Sequence, residues 1–249
     1  MNGKFVIDIS YHNGNINWQE LKQSGVYGVI IRCGYGNNSI SQDDKLFIAN
    51  MENAIKNNFK VGVYIYSYAE NESMAKSEAQ HVLRLVSSYK NKLYYPIFID
   101  LEEERGSKKA KEIARTFCEE LKKFNYKVGV YANAFWWSKY LKGLDEYTKW
   151  VARYGVNNGK VNGEVGVPCD MWQYTDKGKV KGIKGNVDLN LDFMTNTKTN
   201  TKTKTNINKV VNDVIKGIYG NGEERKKKLT KLGYNYKEIQ NLVNKKLRK

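Results

Sequence analysis

Residues 94–104 read YYPIFIDLEEE, an apolar run that ends on Asp100 and Glu102. Side chains two apart on a strand leave the same face, so these carboxyls point the same way, roughly 6–7 Å apart at the backbone. Asp8 closes an earlier apolar run, FVIDIS, on the matching face, and Asp188 enters a last one, NVDLNLD. If the first and last runs are neighbours, four acids converge on one mouth. They cannot all ionise cheaply, because burial and like-charge repulsion raise at least one pKa. A protonated acid beside an ionised one suits glycoside cleavage: one protonates the leaving oxygen, the other supports positive charge on the sugar ring. A hard metal ion is the competing use of clustered acids, but it needs a compact oxygen cage or an added phosphate. The chain has no phosphate loop, and His12 and His81 lack zinc-ligand spacing, so neither metal nor cofactor is expected. The plain alternative, solvated acids at a strand end, fits Glu103 and Glu104 best.

Aromatic residues suggest the kind of substrate. Tyr64, Tyr66, Tyr131, Trp150, Tyr154 and Trp172 fall on or just beyond the ends of apolar runs. Flat rings stack on sugar faces and hydrogen-bond at their edges. Any one of them taken singly reads as core sooner than as ligand contact; several of inward parity near acids shift the balance towards a carbohydrate groove. Arg32 has the parity to orient a carboxylate, with a plain surface arginine as the alternative.

Elements must bring these residues together. Strands are expected at Phe5–Ile9, Tyr27–Cys33, Val61–Tyr66, Pro96–Leu101, Lys127–Tyr131, Lys149–Arg153, Asp170–Tyr174 and Asn186–Asp192. Helical periodicity lies near Trp18–Gln23, Asp43–Asn57, Glu72–Ser88, Lys108–Phe124 and Phe135–Tyr140. Strand–helix alternation predicts an α/β fold with a mostly parallel sheet. Eight strands and about five helices predict an irregular TIM-like barrel, an open sheet being the alternative. Parity favours closure. Val61, Val63 and Ile65 share an aliphatic face fit to lie under helices, while Gly62, Tyr64 and Tyr66 share one fit for a barrel interior.

The 249 residues hold one sizeable domain and room for a small second one. No run has transmembrane length, and MNGKFVIDIS reads as a first strand rather than a signal peptide. Cys33, Cys118 and Cys169 make no paired framework. The +16 formal charge is uneven: residues 1–194 carry 27 basic and 22 acidic side chains, residues 195–249 carry 15 and 4. The basic end calls for an anionic partner, nucleic acid or an anionic cell wall. Residues 195–205, TNTKTNTKTKT, contain nothing apolar and read as a linker. The chain thus divides into a domain at 1–194, a linker at 195–205 and a module at 206–249.

The ordered landmarks FVIDISYHNGNINW, GVIIRCGYG, GVYIYSYA, PIFIDLEE, VGVYAN, WVARY, MWQYT and NVDLNLDF resemble glycoside hydrolase family 25, the Chalaropsis-type lysozymes, over residues 4–194. The resemblance implies a barrel with fewer than eight helices. It also implies an N-acetylmuramidase that cuts the β-1,4 bond from N-acetylmuramic acid to N-acetylglucosamine in peptidoglycan. Carried onto this chain, it makes Glu102 the general acid and Asp100 its partner, orienting the acetamido group or stabilising charge. Asp8 and Asp188 complete the acidic mouth, and Gln173 joins the substrate-binding set. A substrate-assisted route would fit the short spacing. The acids at 102–104 leave open whether Glu102 alone could donate.

In the tail, Val210, Val211, Val214, Ile215 and Ile218 have helical spacing, and Gly220-Asn221-Gly222 breaks it. A second helix carries Leu229 and Leu232 and ends at Gly233. A third holds Ile239, Leu242, Val243 and Leu247. This three-helix module resembles the cell-wall-binding repeat 7 family, through GNGEERKKKLTKLGYNYKEIQNLVN. The implied ligand is a muramyl-peptide, with Asp213, Tyr219 and Arg225 as contact candidates. Arg225-Lys226-Lys227-Lys228 prompts a nucleic-acid alternative, but such runs are usually solvated helix faces, so nucleic acid and membrane insertion are not expected. The combined expectation is a modular endolysin, made in the host cytoplasm without a signal peptide and acting on the wall after release. A bacterial autolysin and a catalytically silent wall binder are the alternatives. Met194, just before the linker, raises an internal translation start that would supply free tail copies for self-association; an ordinary methionine at a domain edge is the plainer reading.

Overall fold

Strand alternation in residues 3–194 closes into a barrel. The computed structural model describes residues 3–194, 210–231, 234 and 236–247. The strands are β1 (Lys4–Ile9), β2 (Gly28–Tyr35), β3 (Lys60–Tyr66), β4 (Leu93–Asp100), β5 (Val128–Asn133), β6 (Thr148–Ala152), β7 (Met171–Gly178) and β8 (Val187–Asp192), hydrogen-bonded in chain order around a closed ring. Pairing from β1 through β7 is parallel. By contrast, β8 runs antiparallel to both β7 and β1. The cause is the short 179–186 connection, since a parallel return needs a crossover of a dozen or more residues.

Helices α1 (Trp18–Lys22), α2 (Phe47–Lys56), α3 (Glu72–Val86), α4 (Ala110–Lys122) and α5 (Ala134–Lys139) cover the barrel. Each fills a segment whose periodicity predicts it. On α4, Ala110, Ile113, Ala114, Phe117, Cys118 and Leu121 form one buried stripe at helical spacing. Burying a side chain such as Phe117 contributes about 1.5–3 kcal/mol. Helix α2 starts four residues later than its pattern, at Phe47. Asp43 and Asp44 are used instead as acceptors, for Arg84 and for Arg32.

Two cores follow from the parity. Ile7, Ile9, Val29, Ile31, Val61, Val63, Ile65, Ile97 and Ile99 pack outward under the helices. Val6, Ile30, Tyr95, Phe98, Tyr131, Trp150 and Met171 fill the barrel. Large rings fit inside because glycines face them. A Cβ on Gly129 would come within 2.5 Å of the Phe98 ring, and one on Gly62 within 2.5 Å of Tyr95. A register shift between β3 and β4, between Val61 and Val63, lets both Tyr95 and Phe98 turn inward.

The chain forms two compact units, Met1–Met194 and Thr195–Lys249. In the second, residues 210–215, Gly222–Lys231 and Tyr236–Leu247 are helical. Val210, Val211, Val214, Leu229, Ile239 and Val243 form its core. Ile215, Ile218 and Leu247 share the apolar pattern but are exposed. Leu232, Gly233 and the expected linker at 195–205 lie outside the described residues.

Candidate active site

One end of the barrel gathers the acids, because inward parity meets the C-terminal ends of the parallel strands there. Asp8 on β1 stands directly opposite Asp188 on β8. The two carboxyls influence each other directly, and the charge of Asp8 disfavours a second charge on Asp188. Asp8 also accepts from Asn190 Nδ2 at 2.7 Å and from Gln173 Nε2 at 3.1 and 3.3 Å. Burial raises the Asp8 pKa against those donors. Burial, and then the Asp8 charge, push Asp188 up to about 9. The pair therefore holds a proton at neutral pH.

Asp100 ends β4 and is buried. Its pKa is raised well above the ordinary carboxylate value, first by burial, then by the charges of Glu102 and Asp8, while Arg32 pulls it down. One of its oxygens, Oδ1, is buried and finds no hydrogen-bond partner among the described residues. Glu102 follows in the turn, exposed at the rim. Desolvation by the wall around its carboxyl raises its pKa; a Tyr131 hydroxyl donated to it would lower it, and the charges of Asp8 and Glu103 add to the rise.

These side chains line a cavity of about 390 Å³ bounded by Asp8, Asp100, Glu102, Asp188, Tyr64 and Gln173. A cavity of about 710 Å³ shares Glu102 and Tyr154 with it and extends past Asn133, Phe135 and Val167. A third, about 430 Å³, shares His12, Arg32 and Tyr66 and adds Tyr11, Tyr35 and Tyr68. Together they make an acid-floored groove walled by tyrosines.

The profile of glycosyl hydrolases family 25 matches residues 7–183. The chain belongs to that family. A profile described as the CW_7 repeat matches residues 208–247. Among similar solved structures, the modular autolysin LytC of Streptococcus pneumoniae is 30% identical with a TM-score of 0.64 and has been seen with a synthetic peptidoglycan ligand; the match covers 76% of this chain and 46% of that one. The catalytic domain of an endolysin from a Listeria monocytogenes bacteriophage is 29% identical, TM-score 0.64, over 77% and 93% of the two chains. The CTP1L endolysin, whose activity is regulated by a secondary translation product, is 26% identical, TM-score 0.66, over 79% and 70%.

The family 25 barrel brings together Asp8, Asp100, Glu102, Asp188, Tyr64, Tyr66, Tyr131, Trp150, Tyr154, Gln173 and Arg32 around the central cavity. One expectation needs correction, and the packing refines the roles of four other residues. Trp172 is not in the groove: it has outward parity on β7, is fully buried, and gives its indole N–H to the Arg153 carbonyl at 2.8 Å. Trp150 and Tyr131 are only 1% and 6% exposed, so they form the floor and are too deep to stack on a sugar face. Arg32 does orient a carboxylate, that of Asp44 at 3.0 Å. In the tail, Arg225 spends its guanidinium on Gly220 O, Gln240 Oε1 and Asn221 Oδ1, pinning the Gly-Asn-Gly turn to the last helix. Asp213 and Tyr219 are half-buried.

Sequence reasoning missed Asn190, which joins the Trp150 indole to Asp8. The signal was present: Asn190 lies two residues after Asp188 and so shares its face. It also missed Phe135, which is 58% exposed beside the larger cavity. Nothing in an amphipathic pattern distinguishes such a ring from core. Glu103 is separated from Glu102 by its partner, accepting from Tyr66 Oη at 3.0 Å.

Proposed function

We propose that this family 25 enzyme is an N-acetylmuramidase of peptidoglycan, with a C-terminal module that holds it to the wall. The observation that carries the reading is the position of Glu102, at the junction of the central and larger cavities. A glycosidic oxygen lying there would have one sugar over the acids and the other beside Phe135 and Val167. Glu102 gives its proton to that oxygen as the C1–O bond breaks. The buried, unpartnered Asp100 Oδ1 suits an incoming N–H donor, such as the 2-acetamido group of the retained sugar. The acetamido oxygen attacks C1, and Asp100 holds the N–H as positive charge develops on the ring. Water then opens the cyclic intermediate with retention and returns a proton to Glu102. This substrate-assisted route is a recognised exception to the two-carboxylate scheme. The Asp8–Asp188 pair contributes one negative charge beneath the ring.

Purified Gram-positive peptidoglycan is digested, reduced with borohydride, and its new ends identified. Reduced muramic acid from wild type is the expected product. Glu102→Gln should lower turnover about 10²–10⁴-fold in a protein that melts normally. Reduced glucosamine would move the cut to the other bond, and no new ends on any wall type would leave a wall-binding protein.

The domain at 1–194 is the catalytic unit in this reading, 195–205 the tether and 206–249 the wall-binding module, with a muramyl-peptide as its ligand. Its action in this reading is on the wall after release from the cell that makes it; an autolysin would use the same chemistry. An internal start at Met194 would supply free tail copies that associate with the full-length chain, a counterpart of the CTP1L secondary product. A single full-length band from the native gene, lost entirely on stopping the first codon, would rule this out.

A further inference from the structure

The hydrogen bonds across the floor of the well have a direction, and one indole sets it. Trp150 Nε1–H can only donate, and it meets Asn190 Oδ1 at 2.7 Å. That orients the Asn190 amide, whose Nδ2 donates to Asp8. Asp8 is thus an acceptor on this side, and Gln173 Nε2 donates to it as well. The Gln173 carbonyl oxygen must then face the other way. There it meets the hydroxyls of Tyr131 and Tyr154, at 2.7 and 2.6 Å. Two lone pairs receive two protons. The reverse amide orientation would set a carbonyl oxygen against the Asp8 carboxylate, so the network assigns the amide.

Tyr131 has a single proton, and the short contact to Gln173 uses it. Its oxygen also lies 3.3 Å from Glu102 Oε1. With the phenol proton committed, Tyr131 meets Glu102 only as an acceptor. We propose that Gln173 is a positioning residue for the acid: by taking the Tyr131 proton, it obliges Glu102 to keep its own. The neighbouring acid shows the contrast. Tyr66 gives its proton to Glu103 at 3.0 Å, making that carboxyl the acceptor. Two adjacent glutamates, each beside a tyrosine, are sorted by where the tyrosine's proton goes. The purpose of the device rests on the reading of Glu102 as proton donor, but its geometry does not.

The test reads a proton rather than a cut bond. The Glu102 side-chain carboxyl is titrated by carbon-13 NMR in the full-length chain and assigned by the signal lost in Glu102→Gln. Tyr131→Phe removes an acceptor for the acid form, so the midpoint falls, by about half a unit to one unit. If Tyr131 instead donated to Glu102, the same change would raise the midpoint. A rise, or no shift, overturns the proposal. Gln173→Met frees the Tyr131 proton for Glu102 and also lowers the midpoint. In that background, adding Tyr131→Phe removes a donor and raises it. The effect of Tyr131→Phe therefore reverses sign with residue 173; the same sign in both backgrounds rejects Gln173 as the cause. Melting curves establish that each variant is folded, and Tyr131→Phe alone decides the direction should the Gln173 variant not fold. In active protein, the basic limb of kcat/KM moves with the NMR midpoint. An inactive wild type would end the muramidase reading and leave the titration result intact.

Discussion

Asp8 and Asp188 face each other in register across the seam where the barrel closes, and two buried carboxyls so placed hold one proton between them. The consequence is a slope of stability with pH. Asp188 rises from an ordinary 3.8 to about 9. A raised folded pKa contributes stability that is complete below the unfolded value and is lost as pH climbs through the folded value. The native state is therefore favoured by acid across this window. Asp188→Asn should flatten the dependence of Tm on pH between about 4 and 9. An unchanged slope would mean that the pair does not share its proton. At this scale the sequence was largely legible. Asp8, Asp100, Glu102 and Asp188 all reach one cavity, because period-two alternation fixes a side chain's face once its strand is known. What parity could not supply was depth. Trp150 and Tyr154 both line the cavity, yet one is sealed in the floor and the other is half-buried in the wall.

At the scale of elements, strand β4 delivers the chemistry and its neighbours make room for it. Gly129 on β5 lies against Phe98, and an added Cβ would sit 2.5 Å from the ring. Gly129→Ala should cost about 1–3 kcal/mol through overpacking, read as a lower denaturation midpoint with an unchanged m-value; a neutral result would show that Phe98 can move aside. Helix α3 holds the exit from β3, where buried Glu78 accepts from Ser67 Oγ at 2.7 Å and the Tyr68 amide at 2.8 Å. Glu78→Ala would leave both donors without that partner, about 1–3 kcal/mol each. It should also loosen Tyr66 and Tyr68 at the groove wall, seen as a higher KM on wall fragments with kcat less affected. In the tail, Arg225→Ala should melt the small module while the barrel keeps its turnover on soluble glycan. Retained tail helicity by circular dichroism, measured on the variant full-length chain against wild type, would contradict that structural role.

For the whole molecule, charge and chemistry are divided. The acids that would act on glycan lie in residues 1–194, while residues 195–249 carry 15 basic against 4 acidic side chains. A modest affinity of the tail for the wall would still matter, because a tether raises local enzyme concentration. Deleting 195–249 should leave cleavage of soluble muropeptide oligomers near the wild-type rate and weaken sedimentation with purified walls. The binding lost should be the salt-sensitive part, since the excess positive charge is exposed to screening. Equal sedimentation of both forms in low salt would assign wall affinity to the barrel.

The sequence by itself determined the strands, their faces and the four acids, because these depend on local periodicity that each segment carries alone. It also located the charge boundary at residue 195. The tertiary structure decided what depends on contacts between distant segments: β8 running antiparallel, Trp172 turning to the outer core, Arg32 pairing with Asp44, and Asn190 and Gln173 bridging strands. A hydrogen-bond network has a direction only when every donor has met its acceptor. Trp150, Asn190, Asp8, Gln173, Tyr131 and Glu102 come from five strands and the turn after β4, and only closure of the barrel brings them within reach of one another.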